Sequence, residues 1–379
     1  MMLAGWLTLA GAVALADEHE KTQVVPGFAE FDLVSDVTNA ADQLDARLVN
    51  PWGVVAGRDA VWVNANGTGL LLAYDAAGAA VGTAVYIPGP AGGTTVGAPT
   101  GLVLNRSAKF VVTSGAQSAP ATFLIATEDG TIAAWNKDVT GDSAVIVVDN
   151  SAAGAVYKGL AVAAGPLTGP QIYAADFHGG KIDVFGPDFH LVKSFTDATV
   201  PAGYAPFNVQ LIRGRLFVTF AKQLAPDLKD DESGPGNGFV DIFDGDGTLV
   251  RRLVSGGALN SPWGLAVWPG RFGERGPALL VGNFGDGKIN AYDLASGTPL
   301  GQLKRSNGDD LVIDRLWGFA PAQGDLAEDT ETGGTGERHG FGHEDRDATP
   351  LFFAAGIHDE AHGLFGFVRP VEPVTVHGH

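Results

Sequence analysis

The sequence predicts an all-β fold: a six-bladed β-propeller closed by an N-terminal strand joining the last blade. Three observations predict it. A triplet recurs six times, as Pro51-Trp52-Gly53, Pro99-Thr100-Gly101, Tyr157-Lys158-Gly159, Pro206-Phe207-Asn208, Pro262-Trp263-Gly264 and Leu316-Trp317-Gly318, its third residues 48, 58, 49, 56 and 54 positions apart. Each triplet opens a short apolar run, followed by turns and further alternating strands. Repeats of about 40 to 50 residues, each holding about four short strands, mark a propeller. Glycine, 54 of 379 residues, supplies the turns that so many hairpins require.

The first repeat sets the grammar. Gly53 to Ala56 is strand A, the innermost, and Arg58-Asp59 turns. Ala60 to Asn64 is strand B, with Val61 and Val63 on one face and Trp62 on the other. Gly67-Thr68-Gly69 turns again, Leu70 to Tyr74 is strand C, and Asp75 to Gly78 leads into strand D, Ala80 to Ile87. Such alternation between turn residues is what half-buried antiparallel strands require. The second repeat reads Gly101 to Leu104, Phe110 to Ser114, Ala121 to Ala126 and Thr131 to Asn136. The third places Ile172 to Asp176 and Lys181 to Phe185 about the turn His178-Gly179-Gly180. The fourth carries an insertion, Lys222 to Asn237, between Arg215–Ala221 and Phe239–Phe243, which reads as a long mobile loop. The fifth runs through Ala278–Asn283 and Lys288–Tyr292.

The sixth repeat has a polar insertion, Gln323 to Thr349, whose Gly, Asp and Glu content reads as partly disordered. Leu351–Ala355, a turn at His358 to His362 and Leu364–Val368 follow, leaving the repeat one strand short. Phe31 to Ser35 supplies the missing strand, because a ring closed by one chain end buries edges that an open sheet would expose. The expected division is a signal peptide over 1–16, a linker over 17–28, the propeller over 29–371 and a tail over 372–379. The signal peptide rests on the apolar stretch Leu3 to Ala16, which ends in a small-x-small pattern before Asp17-Glu18. Export to the periplasm or beyond is therefore expected. The stretch is shorter than the roughly 20 residues a membrane-spanning helix needs, and no membrane span is expected in the mature chain.

A net charge of −19 excludes nucleic acid as the expected partner, since phosphate binding needs clustered Lys and Arg. It argues equally against an anionic membrane surface. Cysteine is absent, so disulfides, thiolate metal sites and cysteine nucleophiles are excluded. A monomer is expected.

Leu48-Val49-Asn50-Pro51-Trp52-Gly53, Thr127 to Ile132, Tyr157-Lys158-Gly159-Leu160, Tyr204 to Phe207, Gly282 to Asn290 and Gly363 to Gly366 carry a family resemblance, with Gly282 to Asn290 the most specific segment. Over roughly Phe31 to Val368 the chain resembles an uncharacterised family of exported bacterial β-propeller proteins, some of which carry a C-terminal PEP-CTERM surface-sorting signal. Residues 370–379 show neither the hydrophobic anchor nor the basic tail of sorted members. More distantly, the blades are similar to NHL repeats and lactonase-type propellers. The resemblance implies fold and export and carries no catalytic residues.

Strands within a blade are antiparallel, so the loops leading into strand A and those joining B to C share one face. That face is the expected ligand site. It carries Asn50, Trp52, Lys158, Asn208, Trp263 and Trp317 from the first set, with Thr100, Phe207 and Ser261. The second set adds Asn66, Glu128, Asp129, Asp176, His178, Asn283 and Asp286, overhung by Lys222 to Asn237. Trp52, Trp263 and Trp317 suit packing between neighbouring blades, or stacking on a ligand. Lys158 suits a salt bridge to a nearby carboxylate. His358, Asp359 and His362, with Glu360 among them, form the densest run of metal-ligand types. A divalent cation, Ca²⁺ or a transition metal, is the one cofactor these residues suit. No local catalytic motif is present. The leading expectation is a binding or scaffold protein recognising a small molecule, glycan or protein. The alternative is a metal-dependent ester or lactone hydrolase with its metal at the channel mouth.

Overall fold

The repeated glycine sits where neighbouring blades touch. A Cβ on Gly53 would lie 2.5 Å from the carbonyl oxygen of Thr100, and one on Gly101 would lie 2.5 Å from the amide of Leu160. A Cβ on Gly318 would strike the carbonyl of Trp52. Blade 1 thus meets blade 2, blade 2 meets blade 3 and blade 6 meets blade 1 backbone to backbone around the axis, contacts that a glycine allows and a Cβ would block. Blade 4 places Asn208 at this position. Its side chain lies against Gly159, and its Nδ2 donates to the carbonyl of Trp263 at 2.8 Å.

The structure is a computed structural model describing residues 22–57, 59–90, 96–165, 169–268, 272, 277–322 and 350–377. The signal-peptide segment and the insertion 323–349 lie outside them. Six sheets form the blades. Blade 1 holds Pro51–Ala56, Val61–Ala65, Leu70–Tyr74 and Val85–Tyr86; blade 2 holds Pro99–Leu104, Phe123–Thr127, Thr131–Trp135 and Val145–Asp149. Blade 3 holds Tyr157–Gly165, Gly169–Asp176, Lys181–Phe185 and Leu191–Phe195; blade 4 holds Tyr204–Ile212, Arg215–Lys222, Phe239–Phe243 and Leu249–Ser255. Blade 5 holds Pro262–Val267, Ala278–Asn283, Ile289–Asp293 and Pro299–Gln302. In blade 6, Leu316–Pro321, Leu351–Ala355 and Leu364–His377 are joined by the N-terminal strand Thr22–Ser35, antiparallel to Leu364–His377. Closure by the N-terminal strand is as expected, but the paired strands run past both expected limits, 29 and 371. Lys304–Arg305, just after blade 5, pairs in parallel with this strand, and the Arg305–Glu30 ion pair reinforces the contact.

Each blade is sandwiched between two others, so its B and C strands are buried on both faces. Every residue of Phe123–Thr127 and of Thr131–Trp135 is buried. The core is therefore a ring of inter-blade clusters, such as Leu216, Val218, Phe220 and Phe243 of blade 4 against Tyr173, Ile182 and Val184 of blade 3.

Two expectations are corrected. In the second repeat, Phe110–Ser114 is not a blade strand. Val111–Ser114 pairs with Gln117–Pro120 in a separate two-stranded hairpin turning at Gly115, which has φ +60°. Phe110 and Val112 anchor this hairpin against the outside of blade 2, so its alternation is real but belongs to no blade. In the first repeat, strand D is confined to Val85–Tyr86, with a lone bridge between Tyr74 and Ala80.

Candidate functional site

The face bearing the loops into strand A (here the D–A face) is closed over the axis by aromatic rings. Trp52 and Trp317 stack with centroids 3.4 Å apart, Phe284 stacks on the other side of Trp317 at 4.0 Å, and Trp263 stands edge-on to both tryptophans. Phe177 and Phe207 complete the plug. The triplets explain this arrangement. Their middle residues come from blades 1, 4, 5 and 6 and converge because the third residue lets the A strands close up. The tryptophans therefore pack on one another across the axis rather than between blade faces.

Lys158, the middle residue of the third triplet, lies on this plug. Its Nζ stands 5.1 Å from the Trp52 ring centre, 5.8 Å from Phe177 and 6.0 Å from Phe207. It donates to Glu128 Oε1 at 2.7 Å and to Asp230 Oδ1 at 3.3 Å. Burial disfavours the ammonium, but Glu128 and Asp230 outweigh it and hold the lysine above its ordinary pKa. Asn66 Nδ2 donates to the other oxygen of Glu128 at 2.9 Å.

Two more carboxylates face this group. Burial pushes Asp231 up from the usual aspartate value, against the pull of Lys158. Burial also raises Glu360; its hydrogen bond from Asn50 Nδ2 opposes this, and the charges of Glu128 and Asp231 add to it. Four carboxylates thus surround one ammonium. The mouth is net negative and holds like charges close together. Backbone strain concentrates here as well. Asn50, Ser261 and Arg315, each just before strand A of its blade, have φ of 45°, 47° and 51°, and His358, Asp359 and Glu360 have 57°, 53° and 65°. Non-glycine residues held left-handed cost about 1–3 kcal/mol each and cluster at functional sites. Among the described residues, the buried Trp52 indole N–H finds no hydrogen-bond partner.

Of the residues singled out from sequence, Asn50, Trp52, Glu128, Lys158, Trp263 and Trp317 come together. Asn50 Oδ1 accepts from Trp317 Nε1 at 3.1 Å, and Trp263 Nε1 donates to the Lys158 carbonyl at 3.0 Å. Asn208, Asp176 and Asn283 serve the fold. Asp176 accepts from the amides of Val156 and Gly179, and Asn283 Nδ2 donates to the Ala258 carbonyl and to Asp286. His178 is exposed beside Gly154, apart from the cluster.

The run His358 to His362 divides. Asp359 pairs with Arg315 at 2.5 Å, His362 Nδ1 lies 2.8 Å from Asp36, and only Glu360 turns to the axis. His358 and His362 keep their rings 5.5 Å apart. Among the described residues, no three His, Asp or Glu side chains converge as a metal-binding group.

Asp230 and Asp231 were not singled out. They lie in the insertion Lys222–Asn237, which is tied down: Gln223 Nε2 donates to the Phe177 carbonyl at 2.7 Å and the Gly234 amide to Asn260 at 2.7 Å. An acidic pair in a loop predicted to overhang the mouth was the available signal.

Below the plug the central channel widens. A cavity of about 840 Å³ follows the C-terminal halves of the A strands. The ring of triplet glycines forms its neck, and Trp263 and Phe319 lie at its floor.

The fold and site define a closed six-bladed β-propeller with an aromatic plug and an acidic rim on its D–A face. The chain belongs to the family of Uncharacterized protein R648 and Uncharacterized protein L690 of Acanthamoeba polyphaga mimivirus. It is 31% identical to R648 over 344 residues, covering 89% of this chain and 78% of that protein. It is 32% identical to L690 over 304 residues, covering 78% and 79%. A further mimivirus relative, Uncharacterized protein R640, is 32% identical over 300 residues, and the match spans 55% of its length. These relatives are viral, where the sequence resemblance pointed to bacterial proteins. No protein-family model matches the chain. Among solved structures it is similar to virginiamycin B lyase from Staphylococcus aureus, with TM-score 0.47 and 12% identity over 91% of this chain and 99% of that one. It is also similar to the WD40 β-propeller domain of Doa1, with TM-score 0.45 and 9% identity over 89% and 96%.

Proposed function

We propose that the chain is a binding propeller whose D–A face recognises a positively charged group, an ammonium or guanidinium, on a small molecule or protein partner. One observation carries this reading: Glu128, Asp230, Asp231 and Glu360 crowd a single buried ammonium, Lys158. Their surplus negative charge is what an incoming cation would neutralise. The protonation that burial favours at Asp231 and Glu360 is what such a cation would reverse. The aromatic plug keeps the ligand at the surface of the mouth. Export and a monomeric state, both expected from the sequence, belong to the same proposal.

Calorimetric titration with agmatine, against glutarate as the oppositely charged control, tests it. Agmatine binds and glutarate does not, and Glu360→Gln weakens agmatine binding about tenfold, the worth of one charge-assisted hydrogen bond. Equal behaviour of the two probes overturns the proposal. Elemental analysis of the untagged protein covers the hydrolase alternative. A stoichiometric metal whose removal by EDTA lowers the melting temperature would favour it.

A further inference from the structure

The cavity beneath the plug differs in chemistry from the face above it. Its walls are apolar, with Val54, Val103, Val162, Leu211 and Val267 prominent among them. Exposure generally rises along these strands toward the A–B loops, with Ala56 and Ile212 at the ends of theirs again buried. Trp52 and Gly53 are buried and Val54 and Val55 half-buried; Gly101 and Leu102 are buried and Val103 and Leu104 half-buried; Leu211 is 41% exposed. The cavity is therefore blind at the plug and widens toward the A–B face. At about 840 Å³ it falls within the roughly 300–1,000 Å³ of small-molecule sites.

Its charge is the more telling property. The chain holds 43 acidic and 24 basic residues, yet among the described residues the charged side chains lining this cavity are Arg106 and Arg213. Both stand in A–B loops, at the end away from the tryptophan floor. Arg213 is an exposed residue held at φ 49° in the turn between Tyr204–Ile212 and Arg215–Lys222. An apolar barrel with the exposed Arg213 guanidinium at one end complements a molecule with an apolar body and an anionic head. Burying the body supplies the affinity and the guanidinium fixes its direction.

We propose that the A–B end of the central channel is a second binding site, for an amphiphilic anion whose apolar body enters the channel and whose acidic head meets Arg213. The site is independent of the cation-recognising mouth, because the aromatic plug separates the two.

The test is titration of the full chain with dodecanoate below its micelle concentration, followed by calorimetry and by tryptophan fluorescence, since Trp263 lies at the cavity floor. Saturable one-to-one binding is expected, weakened about tenfold by Arg213→Gln and abolished by Val162→Trp, which fills the channel. Dodecyltrimethylammonium, with the head charge reversed, binds at least tenfold more weakly, and Glu128→Gln at the opposite face leaves dodecanoate binding unchanged. Arg213→Gln sits in an exposed turn and keeps the test decisive should Val162→Trp fail to fold. Absence of saturable binding, equal affinity for the two amphiphiles, or undiminished binding in Arg213→Gln would overturn the proposal.

Discussion

The Lys158 ammonium sits 2.7 Å from Glu128 Oε1, but the two residues are unequally buried: the lysine side chain is 2% exposed and the glutamate 27%. Removing either partner therefore has unequal consequences. Glu128→Gln takes the 2.7 Å partner from a buried ammonium and leaves the exposed Asp230 at 3.3 Å, with Asp231 and Glu360 beyond it, whereas Lys158→Met leaves Glu128 and Asp230 within reach of water and Asp231 and Glu360 able to take up protons. Breaking a buried pair from the side that strands a charge costs about 3–5 kcal/mol, and partial exposure of Glu128 lowers that to about 2–3 kcal/mol. Chemical denaturation should find Glu128→Gln the more destabilising of the two. The reverse order would mean the ammonium is not held as described.

The triplet glycines make a second prediction. Gly53→Ala and Gly101→Ala each drive a methyl group into backbone of the next blade, where the neighbour cannot rotate away. Each should cost about 2–4 kcal/mol. Gly82→Ala, at φ 69° with open space around it, should cost only the left-handed backbone penalty of about 1–2 kcal/mol. Melting temperatures of the three variants compare these costs directly.

Trp317→Ala removes the ring between Trp52 and Phe284 and leaves a hole in the plug. Truncating a buried tryptophan costs about 3–5 kcal/mol. Equilibrium unfolding should return a loss in that range, and a loss below about 1 kcal/mol would mean that the plug is not a packed core.

Stability should depend on pH through two buried aspartates. Burial, with the charge of Asp197 adding to it against the pull of Arg252, raises Asp241 to about 7. Burial, then the charge of Glu30, raises Asp32 to about 6. Both exceed the ordinary 3.8, so the folded chain holds these protons more tightly than the unfolded chain. Their contribution is present below about pH 4 and is lost as pH rises through 6 and 7. The melting temperature should fall between about pH 4 and pH 7, and Asp241→Asn should flatten that fall. An identical slope in wild type and variant would contradict the assignment.

The fold was legible because glycine at the blade contact is a steric requirement, repeated in five of the six blades, and steric requirements leave a periodic mark. Closure by Phe31 to Ser35 followed from a missing strand. The hairpin Val111–Pro120 was misread because alternation reports burial of one face and says nothing of which sheet a strand joins. The site was half legible. Trp52, Lys158, Trp263 and Trp317 are carried by the repeat itself. Glu360 and Asp231 reach the mouth through a left-handed turn and an insertion, whose paths depend on contacts distant in sequence. His358, Asp359 and His362 form the densest run of ligand types in the sequence, but the left-handed backbone of this turn sends His362 to Asp36 and Glu360 to Asn50.

The central claim is that a cation neutralises a crowded carboxylate cluster at the D–A mouth. Proton linkage tests it most directly. Agmatine binding would be measured calorimetrically at about pH 5 in buffers of different ionisation enthalpy, because Glu360 and Asp231 have raised pKa values and a bound cation lowers them. The account predicts proton release on binding, diminished in Glu360→Gln. Binding without proton exchange, or with proton uptake, would contradict it.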